Sequence, residues 1–214
     1  MTGSPSQAHW QKVYTEKAPT GVSWYQPVPS RSLALIEAAA PGNVVDIGGG
    51  ASTLVDYLVD RPGVVVRVVD ISGAALEYAR SRLGADAASR VHWIEADVTG
   101  PLSALPDAWA DVWHDRAVFH FLTTADERLA YAKNLARILR PGGTVIIAAF
   151  AKDGPEKCSG LSVCRHDAGS IAAELSRAGR IFSASESQRE EHVTPWGSVQ
   201  AFVYVVLKPS TTGA

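Results

Sequence analysis

The stretch "VVDIGGGAST", residues 44–53, concentrates more chemical potential than any other part of this chain. A β-branched run leads into Asp46, then Gly48, Gly49 and Gly50, then Ser52. Glycine costs backbone entropy, so three in succession signal something pressed against the main chain, and the reading is a ligand. Two further acids repeat the placement of Asp46. Asp70 ends "VVVRVVD", 20 residues beyond Gly50, where a carboxylate accepts hydrogen bonds from ribose hydroxyls. Asp97 ends "VHWIEAD" and is placed to accept from the exocyclic amine of an adenine. One acid at a strand end is usually solvated or a cap. Three on successive strands point to a nucleoside.

The elements that must hold these residues follow a regular rhythm. "NVVDI" reads as a strand, and the helix "STLVDYLVD" follows with Ser52 as its N-cap and Pro62-Gly63 as its stop. "VVVRVVD" is a strand, and "SGAALEYARSRLG" is a helix from Ser72 to Gly84. "VHWIEAD" and "DVWHD" are strands. "TTADERLAYAKNLARILR" is a long helix, with Asp126 and Glu127 at its start and Arg137 and Arg140 at its end, as the dipole favours. "GGTVIIAAF" is a strand and "DAGSIAAELSRAG" a helix capped by Asp167. Nothing helical lies between Arg180 and Val199, so the last two strands pair as a hairpin. Alternating strands and helices with near-continuous apolar strands predict a parallel sheet covered on both faces, with one antiparallel strand from that hairpin. Before the rhythm begins, "HWQKVY" and "SRSLALIEAAA" read as helices, and the polar ends 1–6 and 209–214 as frayed.

Composition narrows the function. The chain has 214 residues and a net charge of −2, enough for one domain and without the basic surplus that nucleic acid attracts. No apolar run approaches the roughly 20 residues of a membrane helix, and the start of the chain has no signal-peptide pattern. Two cysteines make no disulfide framework, so a cytoplasmic protein with reduced thiols is expected.

"VVDIGGGAS", "VVDIS" and "IEADV" resemble the first three motifs of the class I, seven-stranded S-adenosylmethionine-dependent methyltransferases. "DVWHDRAVFHFL" is similar to their fourth motif and "LRPGGTVII" to the turn into their fifth strand, a match running from Asn43 to Phe150. The resemblance implies a single domain over 1–214, with an N-terminal helical lid over 1–40 and a core over 41–208. It implies an α/β, Rossmann-like, doubly wound sheet of order 3-2-1-4-5-7-6. The cofactor would be S-adenosylmethionine, with S-adenosylhomocysteine as product. By the same resemblance, Gly48 and Gly50 would pass the methionine part, with Gly49 and Ser52 in the same turn. Asp46 would hold the turn or the amino group. Asp70 would bind the ribose, and Ile71 would cover the adenine edge. Asp97 would meet the adenine amine, with Ala96 and Val98 beside the ring. Asp115 and Arg116 would border the methionine end.

The acceptor side has fewer signals. "SWYQ" is an aromatic-polar cluster in a Pro/Gly loop that resembles the lid of several methyltransferases, so Trp24, Tyr25 and Gln26 are expected over the cofactor and substrate. Trp10 and Tyr14 are read as packing residues. His114, Asp115 and Arg116 are consecutive polar residues at the mouth of the sheet, costly to bury without partners. His120, four residues on, is the candidate base or orienting group, alongside Asp115 and Arg116 as catalytic candidates. The loop "FAKDGPEKCSGLSVCRHD" is read as a substrate cover in which Asp153 and Cys158 touch the ligand, and His192 in the last hairpin is a further substrate candidate. Cys158, Cys164 and His166 fit no common zinc spacing, and no metal is assigned. "SWYQ", "WHDRAVFHFL" and "HVTPWGSVQAF" together resemble one bacterial subfamily.

The expected activity is methyl transfer to a small-molecule N, O or S nucleophile by a monomer or homodimer, with neither nucleic acid nor membrane as partner. The alternatives are a protein lysine methyltransferase, on the strength of the aromatic lid, and a non-catalytic module that holds the cofactor or a metal. A nicotinamide dinucleotide enzyme is disfavoured because Thr53 stands where G-x-G-x-x-G needs its third glycine.

Overall fold

The sheet is built from the sequence's β-branched runs, and the strand that carries Asp46 lies in its interior. In the computed structural model, which describes residues 4–210, that strand is β1 (Asn43–Ile47). It lies between β2 (Val65–Asp70) and β4 (Ala110–Arg116), parallel to both. β3 (His92–Glu95) is the outer partner of β2, and β5 (Leu139–Phe150) the next partner of β4. A two-stranded ribbon, β6 (Lys157–Cys158) with β7 (Leu161–Ser162), interrupts the loop after β5. β8 (Phe182–Val193) and β9 (Val199–Pro209) form the closing hairpin, with β9 antiparallel to both β5 and β8. The seven-stranded order is β3-β2-β1-β4-β5-β9-β8, which is 3-2-1-4-5-7-6 when the ribbon is left out of the count.

Helices cover both faces. α2 (Ser30–Ala38), α3 (Leu54–Leu58) and α4 (Gly73–Leu83) supply one apolar layer, in which Ile36, Leu54, Leu58 and Leu76 pack on Val44, Val68 and Ile146. α6 (Ala125–Ile138) and α7 (Ala168–Ser176) supply the other, around Trp113, Tyr131, Leu135 and Ile147. A short helix, α5 (Ala85–Ser89), follows α4. α1 (Pro5–Glu16) starts at Ser4, whose side chain accepts from the Gln7 N–H, so residues 4–6 are a capped helix start and not a frayed end. Residues 1–3 and 211–214 of the expected polar ends lie outside the described residues.

The caps follow local rules. Thr124 and Glu127 close a reciprocal capping box on α6, and Asp167 with Ser170 does the same on α7. Ser72 caps α4 and Gly84 follows its end. Two expectations shift by one or two residues. α3 begins at Leu54, with the Ser52 hydroxyl accepting from the Leu54 N–H at 3.1 Å. α6 ends at Ile138, so Arg140 belongs to β5 and pairs with Asp111 instead of capping the helix.

Candidate functional site

Two adjoining cavities open at the carboxyl ends of β1 to β4. The larger, about 130 Å³, is walled by Asp70, Ile71, Ala96, Asp97 and Val98 on the strand side. The smaller, about 40 Å³, is walled by Asp46, Gly48, Gly49 and Ser52. Gly48, Ile47, Tyr14, Trp24 and Arg116 face both. The residues read from the first three motifs therefore converge on one place, with the exception of Gly50.

The glycines serve the protein before any ligand. Gly48 has φ +68, and a Cβ there would stand 2.1 Å from Val118. A Cβ on Gly49 would stand 2.1 Å from an oxygen of Asp46. A Cβ on Gly50 would meet Ala75 and Asp70 at 2.7 Å. Gly50 instead gives its N–H to Asp70 at 3.0 Å and lies off both cavity walls. What presses so close to this turn is Val118, Ala75 and the carboxylates of Asp46 and Asp70.

Those carboxylates are unequal. Asp70 is 6% exposed and accepts from the N–H groups of Gly50 and, at 2.8 Å, Ser72. Burial pushes its pKa up to about 6, against the lowering effect of those N–H groups. Asp97 uses one oxygen to hold both the N–H and the hydroxyl of Thr99, at 2.8 and 2.7 Å. Asp46 is 2% exposed, and its one side-chain hydrogen bond among the described residues is to the Nδ1 of His114, at 2.7 Å. Its second oxygen, Oδ2, is buried without a partner. The same is true of Gln26 Oε1 and Arg116 Nη2. All three residues wall the smaller cavity. The Gln26 amide is oriented by Glu190, which accepts from its Nε2, so its oxygen is the free end. Buried groups of this kind cost roughly 1–3 kcal/mol each if nothing binds them. Two acceptors and one cationic donor around a small cavity match an ammonium and a carboxylate, the head of an α-amino acid.

Arg116 also ties the lid down. It donates to the Trp24 carbonyl at 2.8 Å and to the Tyr204 hydroxyl at 2.9 Å, over the ring of Phe202. His192 Nε2 donates to the Ser23 carbonyl at 2.6 Å, and Thr53 donates to the Gln26 carbonyl. The lid's outer part is aromatic. Trp10 meets Trp24 edge-on at 5.6 Å and Phe121 at 4.9 Å, and Trp24 Nε1 donates to the Tyr14 hydroxyl at 3.3 Å. All four rings wall the larger cavity. Trp10 and Tyr14 are thus site residues, where the sequence reading made them packing residues; their i, i+4 spacing on α1 was the signal. Burial, then the charge of Asp70, raises the Tyr14 pKa, so it stays a neutral phenol.

Several expected site residues lie elsewhere. His120 is fully buried off both cavities, stacked on Phe150 at 4.3 Å, with its Nδ1 accepting from the Phe150 N–H. Burial, then the charges of His166 and Arg116, pushes its pKa down to about 3. A ring so placed packs and does not face a ligand. Asp115 is also buried off the cavity walls. It holds the turn after β4 through the N–H groups of Val118 and Phe119 and the Tyr131 hydroxyl, and burial raises its pKa to about 6. Asp153 is exposed and paired with Arg189 on β8. Cys158 is buried among Phe150, Phe202 and Tyr204, near Ser23, and burial lifts its pKa to about 11. His192 reaches only the lid backbone. Tyr25 and Gln26 do wall the smaller cavity. No group of three or more His, Cys, Asp or Glu side chains among the described residues is arranged to hold a metal.

Residues 44–143 match the family model described as a methyltransferase domain. Methyltransferase GfsG of Streptomyces halstedii is 28% identical over 120 residues, which are 56% of this chain and 41% of GfsG. The chain thus spans well under half the length of that curated relative. A solved structure concerned with conversion of a disulfide bond into a thioacetal group during echinomycin biosynthesis superposes with a TM-score of 0.73. It is 19% identical, and the match covers 97% of this chain and 94% of that one. The Burkholderia thailandensis 1,6-didemethyltoxoflavin-N1-methyltransferase, solved with its substrate and S-adenosylhomocysteine, superposes with a TM-score of 0.65. It is 22% identical, and the match covers 96% of this chain and 84% of that one. Residues 44–143 are thus similar to a methyltransferase domain, and the chain has the seven-stranded fold that these solved structures share.

Proposed function

We propose that this protein transfers a methyl group from S-adenosylmethionine to a small-molecule N, O or S nucleophile. The observation that carries the reading is the division of groups between two adjoining cavities. Asp97 and Asp70 wall the larger, and Asp46, Gln26 and Arg116, each with an unpartnered polar atom, wall the smaller. The larger is read as the place of the adenosine and the smaller as that of the amino-acid head. Ile71, Ala96 and Val98 supply apolar contact for the base. Asp70 accepts from the ribose, Asp46 and Gln26 from the ammonium, and Arg116 donates to the carboxylate.

S-adenosylmethionine supplies an electrophilic methyl on a sulfonium whose departure leaves a neutral thioether. The protein therefore needs to orient the acceptor in line and keep water out, and no base is assigned. The aromatic lid of Trp10, Tyr14, Trp24 and Phe121 excludes water. The small-molecule class is supported by the way this lid closes over the cavity and by the absence of a basic surplus. It is supported also by the likeness to an enzyme that methylates 1,6-didemethyltoxoflavin. "SWYQ" on the lid and "WHDRAVFHFL" along β4 are read as marks of one subfamily within this class. The protein is read as cytoplasmic, acting as a monomer or homodimer; no helix among the described residues is long and apolar enough to cross a membrane.

The test is incubation with S-adenosylmethionine labelled in its methyl group and a panel of phenols, amines, thiols and N-heteroaromatics. Label in a small-molecule product is expected. Label only in added protein, or none from a protein that binds the cofactor, would contradict the reading.

A further inference from the structure

His114 is an unusual residue for the middle of a buried strand. β4 runs Ala110, Asp111, Val112, Trp113, His114, and His114 lies in register beside Asp46 of β1. Its ring is 2% exposed. Nδ1 faces Asp46 Oδ1 at 2.7 Å and Nε2 faces the Ser32 hydroxyl at 2.9 Å. Carboxylate oxygen accepts, so Nδ1 carries the hydrogen. Ser32 itself is 1% exposed in the first turns of α2. The chain Ser32–His114–Asp46 thus joins the helix behind the lid to the acid beside the glycine turn. Ser32 and His114 border the smaller cavity but are only 1% and 2% exposed, too enclosed for the Ser32 hydroxyl to attack a substrate, so the chain is no hydrolytic triad.

We propose that His114, backed by Ser32, is the positioning residue of the cofactor site. It acts through Asp46, fixing Oδ1 so that Oδ2 faces the smaller cavity and the cofactor's ammonium. The inference rests on the cofactor reading above. The geometry supports it in two ways. His114 is the one side chain among the described residues that holds Asp46, and without it both oxygens of a buried carboxylate would lie unanchored. The backbone does not substitute: Asp46 Oδ2 lies close to Gly49, where even a Cβ would collide, yet accepts from no N–H among the described residues. A plain apolar residue would pack equally well in this layer, which holds Val44, Val112 and Ile146. The histidine is there for its donor.

The experiment compares two ligands that differ at the amino-acid head. S-adenosylhomocysteine has it; 5′-methylthioadenosine keeps the adenosine and the sulfur and lacks it. Affinities for both are measured by calorimetry on wild type, His114→Leu, His114→Asn and Ser32→Ala. His114→Leu is expected to weaken S-adenosylhomocysteine about 10- to 30-fold and to leave 5′-methylthioadenosine within about twofold. His114→Asn, which keeps a donor near the Nδ1 position, is expected to restore S-adenosylhomocysteine to within about threefold of wild type. Ser32→Ala is expected to cost S-adenosylhomocysteine about threefold with 5′-methylthioadenosine unchanged, and it carries the test if His114→Leu does not fold. Equal losses for both ligands, no loss for either, or an Asn variant no better than Leu would overturn the positioning role. A wild type that binds neither ligand would overturn the cofactor reading itself.

Discussion

The strand-end turns of β1 to β3 and the segments that follow β5 invite the same kind of sequence reading, yet they behave differently. Of the residues read from the turns, Asp46, Gly48, Gly49, Ser52, Asp70, Ile71, Ala96, Asp97 and Val98 reach the cavities, and Gly50 alone does not. Of those read after β5, none does: Asp153 pairs with Arg189, Cys158 is packed in an aromatic cluster, and His192 holds the lid backbone. The turns are short and fixed by their own hydrogen bonds, such as Gly50 and Ser72 to Asp70. Their side chains point where the strand points. The loop after β5 folds back through a ribbon and a bridge from Ala151 to His166, so long-range packing decides what faces the ligand.

The largest break in that contrast is expected from Asp70→Ala. It removes a charged acceptor from the ribose and strands two N–H groups. S-adenosylhomocysteine affinity should fall about 10- to 150-fold by calorimetry, at roughly 1.5–3 kcal/mol for a hydrogen bond to a charged group. Unchanged affinity would dissolve the distinction between the two regions. A pH series sharpens it. Asp70 is raised to about 6 in the free protein, and ribose hydroxyls need its ionised form. Binding is therefore full above that value and weakens as pH falls through it, about tenfold between about pH 7 and about pH 5. Asp70→Asn should flatten that slope.

Smaller effects test the lid and the far side. Trp24→Ala should weaken S-adenosylhomocysteine about 5- to 10-fold, since the ring walls both cavities and also holds Tyr14. His120→Ala should cost stability, about 2 kcal/mol in denaturant unfolding, and leave affinity within about twofold, because the ring packs on Phe150 and off the cavity. A loss of turnover with stability intact would return His120 to the chemistry. Asp153→Ala should change neither affinity nor thermal midpoint, its ion pair being exposed.

The fold was largely legible because each level agreed. Apolar strand runs, Ser and Asp caps and the absence of a helix before Val199 all predicted the sheet that forms. The site was legible where chemistry and strand direction coincide. It was not where a residue's role depends on a distant neighbour. Ser32 carries no motif, and only the approach of α2 to β4 makes it a partner of His114. Trp10 and Tyr14 become cavity walls only because α1 packs against α4 and brings them over Asp70. The glycines show the same limit: their crowding was legible, but the crowding groups are Val118, Asp46 and Asp70.

The most direct single measurement is calorimetric titration of the purified protein with S-adenosylhomocysteine, with NADH as the control. One-to-one binding at micromolar affinity, corresponding to about −8 kcal/mol, with no heat from NADH, is the expected result. Binding of NADH with none of S-adenosylhomocysteine would mean that the cavity holds a dinucleotide, and the roles given to Asp46, Asp70, Asp97 and Arg116 would fall together.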